Sequence, residues 1–228
     1  MTKRRGEEDF IGLPSFGAVL YDYLTDGRPN RITVTEIARD LAGQAPRGRL
    51  LDIGQGPGKL LAEVHRLNPR IELFGLDISE SMITLARKRL ADFRVDLRQG
   101  TIRKTDFPDS FFDCITATGA FYLWESPESC LNEIRRILKQ GATAVIFETY
   151  RDCDRGALKE ALRKNLRGEN ILRRVVSPYF LKKQLGMTYS VDEITDIVKK
   201  SAFAQSFSIQ KIALASTPIW LRIALTKA

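Results

Sequence analysis

Three glycines and one aspartate carry the first sign of chemistry in this sequence. Gly54, Gly56 and Gly58 lie in LLDIGQGPGKLLAEV, between an apolar run of strand length and a helical pattern. A turn from a strand into a helix directs free backbone N–H groups at one point, and glycine removes the Cβ atoms that would keep a ligand away. Asp77 follows at the end of the next apolar run, where its carboxylate can accept hydrogen bonds from both hydroxyls of a ribose. We therefore expect a nucleotide-like ligand at this turn.

The glycine spacing disfavours two common ligands. The dinucleotide fingerprint G-x-G-x-x-G needs a third glycine where this sequence has Lys59, and the P-loop ending G-K-[ST] is missing. We expect a small ligand that lacks a pyrophosphate, and a dinucleotide oxidoreductase is disfavoured. The alternative for Asp77 is that it only caps the helix that begins at Ser79.

The elements that must position these residues alternate along the middle of the chain. Strand patterns are RLLDI, IELFGLDI, VDLRQG, FFDCITATG and ATAVIFETY. The helical patterns between them are PGKLLAEVHRLN, SESMITLARKRLADF with Ser79 as N-cap, and SPESCLNEIRRILKQG with Ser126 as N-cap and Gly141 as its end. This alternation implies right-handed crossovers and a mainly parallel sheet.

The end of the chain follows another pattern. SVDEITDIVKKSAF opens with a capping box of Ser190 and Glu193, which predicts a helix. SFSIQKIALAS and PIWLRIALTK then follow without room for a helix, so they must pair antiparallel. The predicted fold class is α/β, a Rossmann-like doubly wound, mainly parallel sheet with a C-terminal antiparallel hairpin.

LLDIGQGPG, LDISESM and LKQGATAVIF, in this order and spacing, resemble the marks of class I S-adenosylmethionine-dependent methyltransferases. QGTIRKTDFPDSFFDCI is similar to another segment of that family in length and in its final aspartate. The resemblance covers residues 50–150 closely, and the reversed final strand of the family agrees with the hairpin. It implies S-adenosyl-L-methionine as the cofactor.

The resemblance also implies roles for thirteen residues around that cofactor. Those at the methionine moiety and ribose are Asp52, Gly54, Gln55, Gly56, Gly58 and Asp77, with Asp52 orienting the turn or facing the ammonium group. Those at the adenine are Ile78, Met82, Gly100, Thr101 and Ile102, and those near the sulfonium are Thr118 and Gly119. The sequence departs from the family at Thr101, where an acid is usual, and at Gln140 and Ala142, which replace proline and glycine.

Aromatic residues are the candidates for positioning the methyl acceptor. Phe121, Tyr122 and Trp124 follow the fourth strand in TGAFYLWESPE, at the edge where ligands bind to such sheets. They would stack on a planar acceptor or exclude water, and the alternative is that two of them pack beneath the N-terminal helices. Tyr21 and Tyr23 belong to a predicted N-terminal lid and would face the same cavity. His65, the single histidine, lies in the helix after the glycine turn and is not expected to act as a base.

Charge is concentrated in one segment of the chain. The formal net charge is +8, and residues 151–183 hold ten Lys or Arg against four Asp or Glu. Such a segment could be a solvated helix face, a cover over the acceptor, a site for RNA phosphates, or a surface for an anionic membrane. We favour the cover.

We therefore expect a lid or cap over residues 1–45 and a methyltransferase domain over 46–228, with 151–186 as a basic insertion covering the acceptor site. The absence of an apolar signal core favours the cytoplasm, and the spacing of Cys114, Cys130 and Cys153 argues against a metal site. The expected reaction is methyl transfer to a small or medium, anionic or aromatic acceptor. The alternatives are an RNA (tRNA or rRNA) methyltransferase and a non-catalytic binding protein with the same fold. Oligomeric state is left open.

Overall fold

The computed structural model describes residues 15–44 and 46–228. Its strands occur along the chain in the order that the sequence predicts. The strands are β1 (Gly48–Ile53), β2 (Ile71–Asp77), β3 (Val95–Gln99), β4 (Phe112–Thr118), β5 (Leu138–Thr149), β6 (Phe207–Leu214) and β7 (Thr217–Thr226). The helices are α1 (Ser15–Leu24), α2 (Arg28–Gln44), α3 (Lys59–Leu67), α4 (Glu80–Arg89), α5 (Pro127–Ile137), α6 (Arg155–Asn165), α7 (Ile171–Met187) and α8 (Val191–Lys199). A short 3-10 turn covers Phe121–Leu123.

The strands form one sheet in the order β3-β2-β1-β4-β5-β7-β6. The pairs among β1 to β5 are parallel, whereas β7 is antiparallel to both β5 and β6. The predicted fold class is confirmed, including the antiparallel hairpin. The strand order reverses between β1 and β4, so the carboxyl ends of β1, β2 and β4 meet at a crevice where ligands bind in folds of this type.

Both faces of the sheet are buried. Leu51 and Ile53 of β1 belong to the apolar cluster on one face, and Leu50 belongs to the cluster on the other face. Ile146 and Phe147 of β5 divide between the two clusters in the same way. Burial on both sides explains why the strands read as continuous apolar runs in the sequence.

Two of the predicted helix caps are confirmed. The Ser79 side chain accepts a hydrogen bond from the backbone N–H of Met82 at the start of α4. Ser190 and Glu193 form both hydrogen bonds of the capping box at the start of α8.

The helix begins at Pro127 with Ser126 in the N-cap position, as predicted, but the prediction was wrong about the side-chain cap and about the end of the helix. Ser126 has a left-handed backbone (φ 50°) and its side chain makes no cap hydrogen bond. The helix ends at Ile137, not Gly141, because Leu138 is buried and pairs with Phe112 in the sheet. Gly141 (φ 75°) lies inside β5, where the register with β4 shifts.

The predicted lid is helical over α1 and α2, while residues 1–14 and 45 lie outside the described residues. The segment predicted as a basic insertion contains α6 and most of α7. In the described part of the chain, no helix combines the length and the hydropathy that a membrane span requires.

Candidate active site

The glycine turn lies at the end of β1, against the end of β2. The backbone N–H of Gly54 donates to the carbonyl oxygen of Leu76 (2.7 Å), which fixes the turn beside β2. Gly56 has φ 52°, and no atom lies within 4 Å of the position that a Cβ would take. A side chain at Gly56 would therefore be strained and would project into open space beside the turn.

Asp77 connects the two strand ends. Its Oδ2 accepts from the backbone N–H of Gly56 (2.8 Å), and its Oδ1 accepts from the backbone N–H of Ser79 (2.9 Å). Burial raises the pKa of this carboxyl, and the hydrogen bonds from Ser79 and Gly56 oppose the rise. A carboxylate offers about four lone-pair sites, so both oxygens retain capacity to accept from a ligand.

A cavity of about 150 Å³ opens beside this carboxylate. Ten of the thirteen residues proposed for the cofactor line it: Gly54, Gly56, Asp77, Ile78, Met82, Gly100, Thr101, Ile102, Thr118 and Gly119. Three of the five aromatic residues predicted to face the acceptor line it too: Tyr21, Tyr122 and Trp124. The structure therefore brings the two predicted sets of residues into one continuous space.

Tyr23 does not line the cavity, and neither do four other predicted residues, each of which packs behind it. A Cβ on Gly58 would lie 2.9 Å from Cδ1 of Leu90, which directly follows α4, and 3.3 Å from Ala86 Cβ on α4, so Gly58 allows α4 to pack closely. Gln55 is 5% exposed and packs against Gly75. The Phe121 ring is fully buried and meets the Trp124 ring edge-on (5.0 Å between centroids).

Asp52 is the fourth of these residues. It is 2% exposed at the end of β1. Burial, followed by the charge of Asp77, holds the pKa of Asp52 well above its usual range. Simultaneous ionisation of Asp52 and Asp77 is therefore unfavourable.

One buried polar atom in the lining lacks a partner. Thr118 Oγ1 is buried and makes no hydrogen bond within the described residues. Because buried hydroxyl groups are nearly always hydrogen-bonded, this atom fits a site that a polar ligand completes. Thr118 and Gly119 are the residues that the family resemblance assigns to the region near the sulfonium.

Glu148 is a residue of this site that the sequence analysis missed. It is fully buried at the end of β5, and its carboxylate accepts from the backbone N–H groups of Tyr122 (3.3 Å) and Thr149 (2.8 Å). Burial raises its pKa to about 7, against the opposing effect of these hydrogen bonds. The signal was present in the sequence, because Glu148 is the single acidic or basic residue in the apolar run ATAVIFETY.

Tyr21 lies on α1 and contributes to the lining of the cavity. The residue is about half exposed as a whole. Its hydroxyl pKa is nevertheless raised, first by burial and then by the charges of Asp77, Asp22 and Glu148. The ring thus spans from the surface of α1 to the interior of the cavity.

Helix α1 is held over the cavity by ion pairs to α3 and α4. Asp22 lies 2.9 Å from Lys59 Nζ and 2.9 Å from an Arg89 guanidinium nitrogen. Burial alone would raise the pKa of Asp22, but the hydrogen bonds from Arg89 and Lys59 outweigh it and hold the pKa below its usual value. Lys59, which replaces the third glycine of the dinucleotide fingerprint, is thus a contact to α1.

Helix α7 lies against α1 on the acceptor side. The Asn170 side chain donates to the Tyr23 hydroxyl (2.9 Å), and the Arg173 guanidinium donates to the Tyr23 carbonyl oxygen (2.9 Å). A Cβ built on Gly119 would have Gln184 Nε2 as its neighbour at 3.7 Å. By contrast, His65 stacks on Phe93 (4.3 Å between centroids) and is not part of the cavity lining.

Comparison with known proteins identifies relatives of part of this chain. A family model described as a methyltransferase domain matches residues 51–146. The chain is 31% identical over 105 residues to the uncharacterized methyltransferase YdaC of Bacillus subtilis, a match that covers 46% of this chain and 58% of that protein. It is 32% identical over 139 residues to the ubiquinone/menaquinone biosynthesis C-methyltransferase UbiE of Pseudomonas fluorescens, over 58% of this chain and 54% of that protein. The chain thus spans between half and three fifths of the length of these two relatives.

The fold similarity extends beyond the matched domain. The plantazolicin methyltransferase BamL, solved in complex with a desmethylPZN analogue and SAH, superposes with a TM-score of 0.71 at 15% identity, over 97% of this chain and 94% of that chain. The resemblance to the class I family is confirmed. The chain carries a methyltransferase domain, over residues 51–146, on the fold of the class I S-adenosylmethionine-dependent methyltransferases.

Proposed function

We propose that this chain transfers a methyl group from S-adenosylmethionine to a small or medium acceptor that is anionic or aromatic. The observation that carries the proposal is the single cavity in which Asp77 and Thr118 on one side meet Tyr21, Tyr122 and Trp124 on the other. When bound, the cofactor supplies a methyl group on a positively charged sulfur. The chain has to hold the two reactants in line and keep water away.

The cofactor half of the proposal depends on Asp77 and the glycine turn. Asp77 accepts hydrogen bonds from ribose hydroxyls, and the left-handed turn at Gly56 leaves room for the ligand. The methionine end extends toward Gly119, with the Thr118 hydroxyl as a polar partner. Met82 and Ile102 supply apolar contacts for the adenine.

The acceptor half depends on the aromatic residues at the end of β4. Trp124 is held edge-on by Phe121, so it offers a fixed apolar wall. The Tyr122 backbone N–H is anchored on Glu148, which keeps this turn at the end of the sheet. These aromatic groups favour a planar or apolar reacting end of the acceptor.

Helices α1 and α7 form the cover of the site in this proposal. The cavity volume of about 150 Å³ lies below the ~300–1,000 Å³ of typical ligand sites, so α1 moves outward when ligands enter. The polar contacts between α1 and α7 at Tyr23 make the two helices move together. Helices α1 and α2 thus act as the lid, and residues 151–186 as the part of the domain that faces the acceptor.

Isothermal titration of the protein with S-adenosylmethionine and S-adenosylhomocysteine tests the cofactor half. We expect saturable binding of both, and absence of binding at millimolar concentrations would remove the enzyme proposal. Transfer of a radiolabelled methyl group to panels of small acids, phenols and tRNA then tests the acceptor half. Binding without transfer to any panel would favour a non-catalytic binding protein, and transfer to tRNA alone would favour the RNA alternative.

A further inference from the structure

A second and larger cavity lies between α6 and α7. Its volume is about 760 Å³, and it shares no lining residue with the cavity beside Asp77. Its apolar wall comes from both helices: Leu158, Leu162, Leu166, Pro178 and Leu181. This volume falls within the range of about 300–1,000 Å³ that is usual for sites of small organic molecules.

A four-residue repeat that runs along α6 and into the turn after it builds one side of this groove. In the stretch LKEALRKNLR, Leu158, Leu162 and Leu166 recur every fourth residue, and each is followed directly by a cation. Residues four apart lie on one helix face, so a leucine stripe and a cationic stripe run side by side. The cations that line the groove are Arg155, Lys159, Arg163, Arg167, Arg174 and Lys182.

These six cations lack a close ion-pair partner among the described residues. Within residues 15–44 and 46–228, none of the six forms an ion pair, and no Asp or Glu lines the groove. Lys164, on the same helix but outside the groove, does pair with Glu160 (2.9 Å). Like charges four residues apart destabilise a helix, so the stripe is unfavourable until an anion neutralises it.

We propose that the groove between α6 and α7 binds an anionic amphiphile, a molecule with one alkyl chain and a phosphate or carboxylate head group. The alkyl chain lies along the leucines, and the head group is held by the cations at the rim. An inorganic anion would leave the apolar wall exposed. The lining contains no Phe, Tyr or Trp, so it offers no platform on which the bases of a single-stranded nucleic acid would stack.

Titration with decyl phosphate below its micelle-forming concentration tests the proposal. We expect saturable binding with one molecule per chain, and at least tenfold weaker binding of inorganic phosphate and of the uncharged n-decyl-β-maltoside. The double variant Lys159→Gln/Arg163→Gln removes two rim cations and should raise the dissociation constant for decyl phosphate at least tenfold. The matched control Lys164→Gln/Lys183→Gln removes two cations outside the groove lining and should change it less than twofold.

A second variant tests the alkyl chain separately from the charge. Gly186 lines the groove on α7, and no atom lies within 4 Å of a Cβ added to it. Gly186→Phe should fill the groove and weaken decyl phosphate at least tenfold while all six cations remain. Circular dichroism and the melting temperature establish that each variant is folded.

Four outcomes would overturn the proposal. They are absence of decyl phosphate binding, equal binding of inorganic phosphate, equal weakening in the control double variant, and no effect of Gly186→Phe. Two further outcomes would identify another role for the segment, and both require that monomeric decyl phosphate does not bind. If wild type and Gly186→Phe then sediment equally with phosphatidylglycerol vesicles, the segment adsorbs to a membrane surface. If an RNA oligonucleotide binds instead, the segment is a nucleic-acid surface. S-adenosylmethionine titration of the same variants reports separately on the proposed methyl transfer, because the two cavities share no residue.

Discussion

The carboxylate of Asp77 at the end of β2 accepts a hydrogen bond from the backbone N–H of Gly56 at the end of β1 (2.8 Å). This contact couples the acidic residue to the glycine turn, and it orients the carboxylate before any ligand arrives. Its second oxygen is fixed by the Ser79 N–H (2.9 Å), so the side chain has little freedom. A preorganised acceptor of this kind saves the entropy that a flexible side chain would lose on binding.

Replacing Asp77 by Ala should weaken S-adenosylmethionine binding about tenfold or more, equivalent to about 1.4 kcal/mol, because hydrogen bonds to a charged acceptor are lost. Isothermal titration measures the change. Asp96→Ala is the matched control, because Asp96 on β3 is part of a surface ion pair with Arg98 and does not line the cavity. Equal affinities in wild type and Asp77→Ala would contradict the assignment of Asp77 to the ribose.

Two glycine-to-alanine changes should alter stability in opposite directions. Gly58 has φ 78° and a Cβ there would lie 2.9 Å from Leu90 Cδ1, so Gly58→Ala should lower the free energy of unfolding by about 1–3 kcal/mol. Gly43 lies in α2 with no atom within 4 Å of an added Cβ, so Gly43→Ala should raise it by up to about 1 kcal/mol. Urea unfolding of the two variants checks both signs. If Gly43→Ala also lowered the free energy of unfolding, backbone strain and close packing at Gly58 would not account for the difference predicted between the two variants.

Glu148 should make stability fall as pH rises from 4.5 to about 7. Its pKa is raised to about 7 in the folded chain from 4.5, so between these values the folded state holds a proton that the unfolded state has released. The free energy of unfolding should therefore decrease by about 1.4 kcal/mol per pH unit in that window, or about 3 kcal/mol across it. Urea unfolding at pH 5 and pH 8 measures the change.

Glu148→Gln should remove this component of the pH dependence, whatever its effect at a single pH. Glu80→Gln is the matched control, since Glu80 is an exposed glutamate at the start of α4. The same difference between pH 5 and pH 8 in wild type and Glu148→Gln would refute the assignment to Glu148.

Asp22→Asn should loosen α1. The change removes the carboxylate that pairs with Lys59 and Arg89, a part-buried interaction of about 1 kcal/mol, so amide hydrogen exchange in α1 should accelerate roughly fivefold. Exchange in α8 should be unchanged, because α8 lies in another part of the molecule. The pKa of Asp22 is lowered in the folded chain, so the stabilisation is present above the unfolded pKa and is lost as pH falls through the folded value.

The matched control for Asp22 is Asp26→Asn. Asp26 is more exposed and lies 3.7 Å from Lys59 Nζ, so its effect on exchange in α1 should be smaller. Identical exchange in wild type and Asp22→Asn would contradict a role for these ion pairs in holding α1.

Local patterns predicted the parts of the fold that depend on neighbours in the chain. Ser79 and the Ser190–Glu193 capping box were identified because capping partners lie three residues apart. The end of α5 was predicted wrongly because Leu138 leaves the helix to pair with Phe112, twenty-six residues earlier in the chain. This sheet pairing ends the helix before Gly141, although the helical pattern of the sequence continues to that glycine.

The same distinction between local and distant residues applies to the candidate site. The chemistry of the turn and the acid at Asp77 could be read from the sequence, because strand ends in a parallel sheet meet at one edge. The burial of Glu148 and its hydrogen bond from the Tyr122 N–H could not be read from spacing alone, because they depend on a distant segment of the chain. The role of Lys59 became clear only from its contact with Asp22 on α1.

The sequence by itself determined the α/β architecture, the methyltransferase resemblance and most of the cavity lining, because these depend on alternating apolar runs and on short motifs. Only the tertiary structure decided that Gly58 packs against α4, that Glu148 is buried with a pKa of about 7, and that the basic segment forms a groove. Desolvation, close packing and charge pairing all depend on residues brought together from far apart in the chain. No local pattern of residue types contains that information.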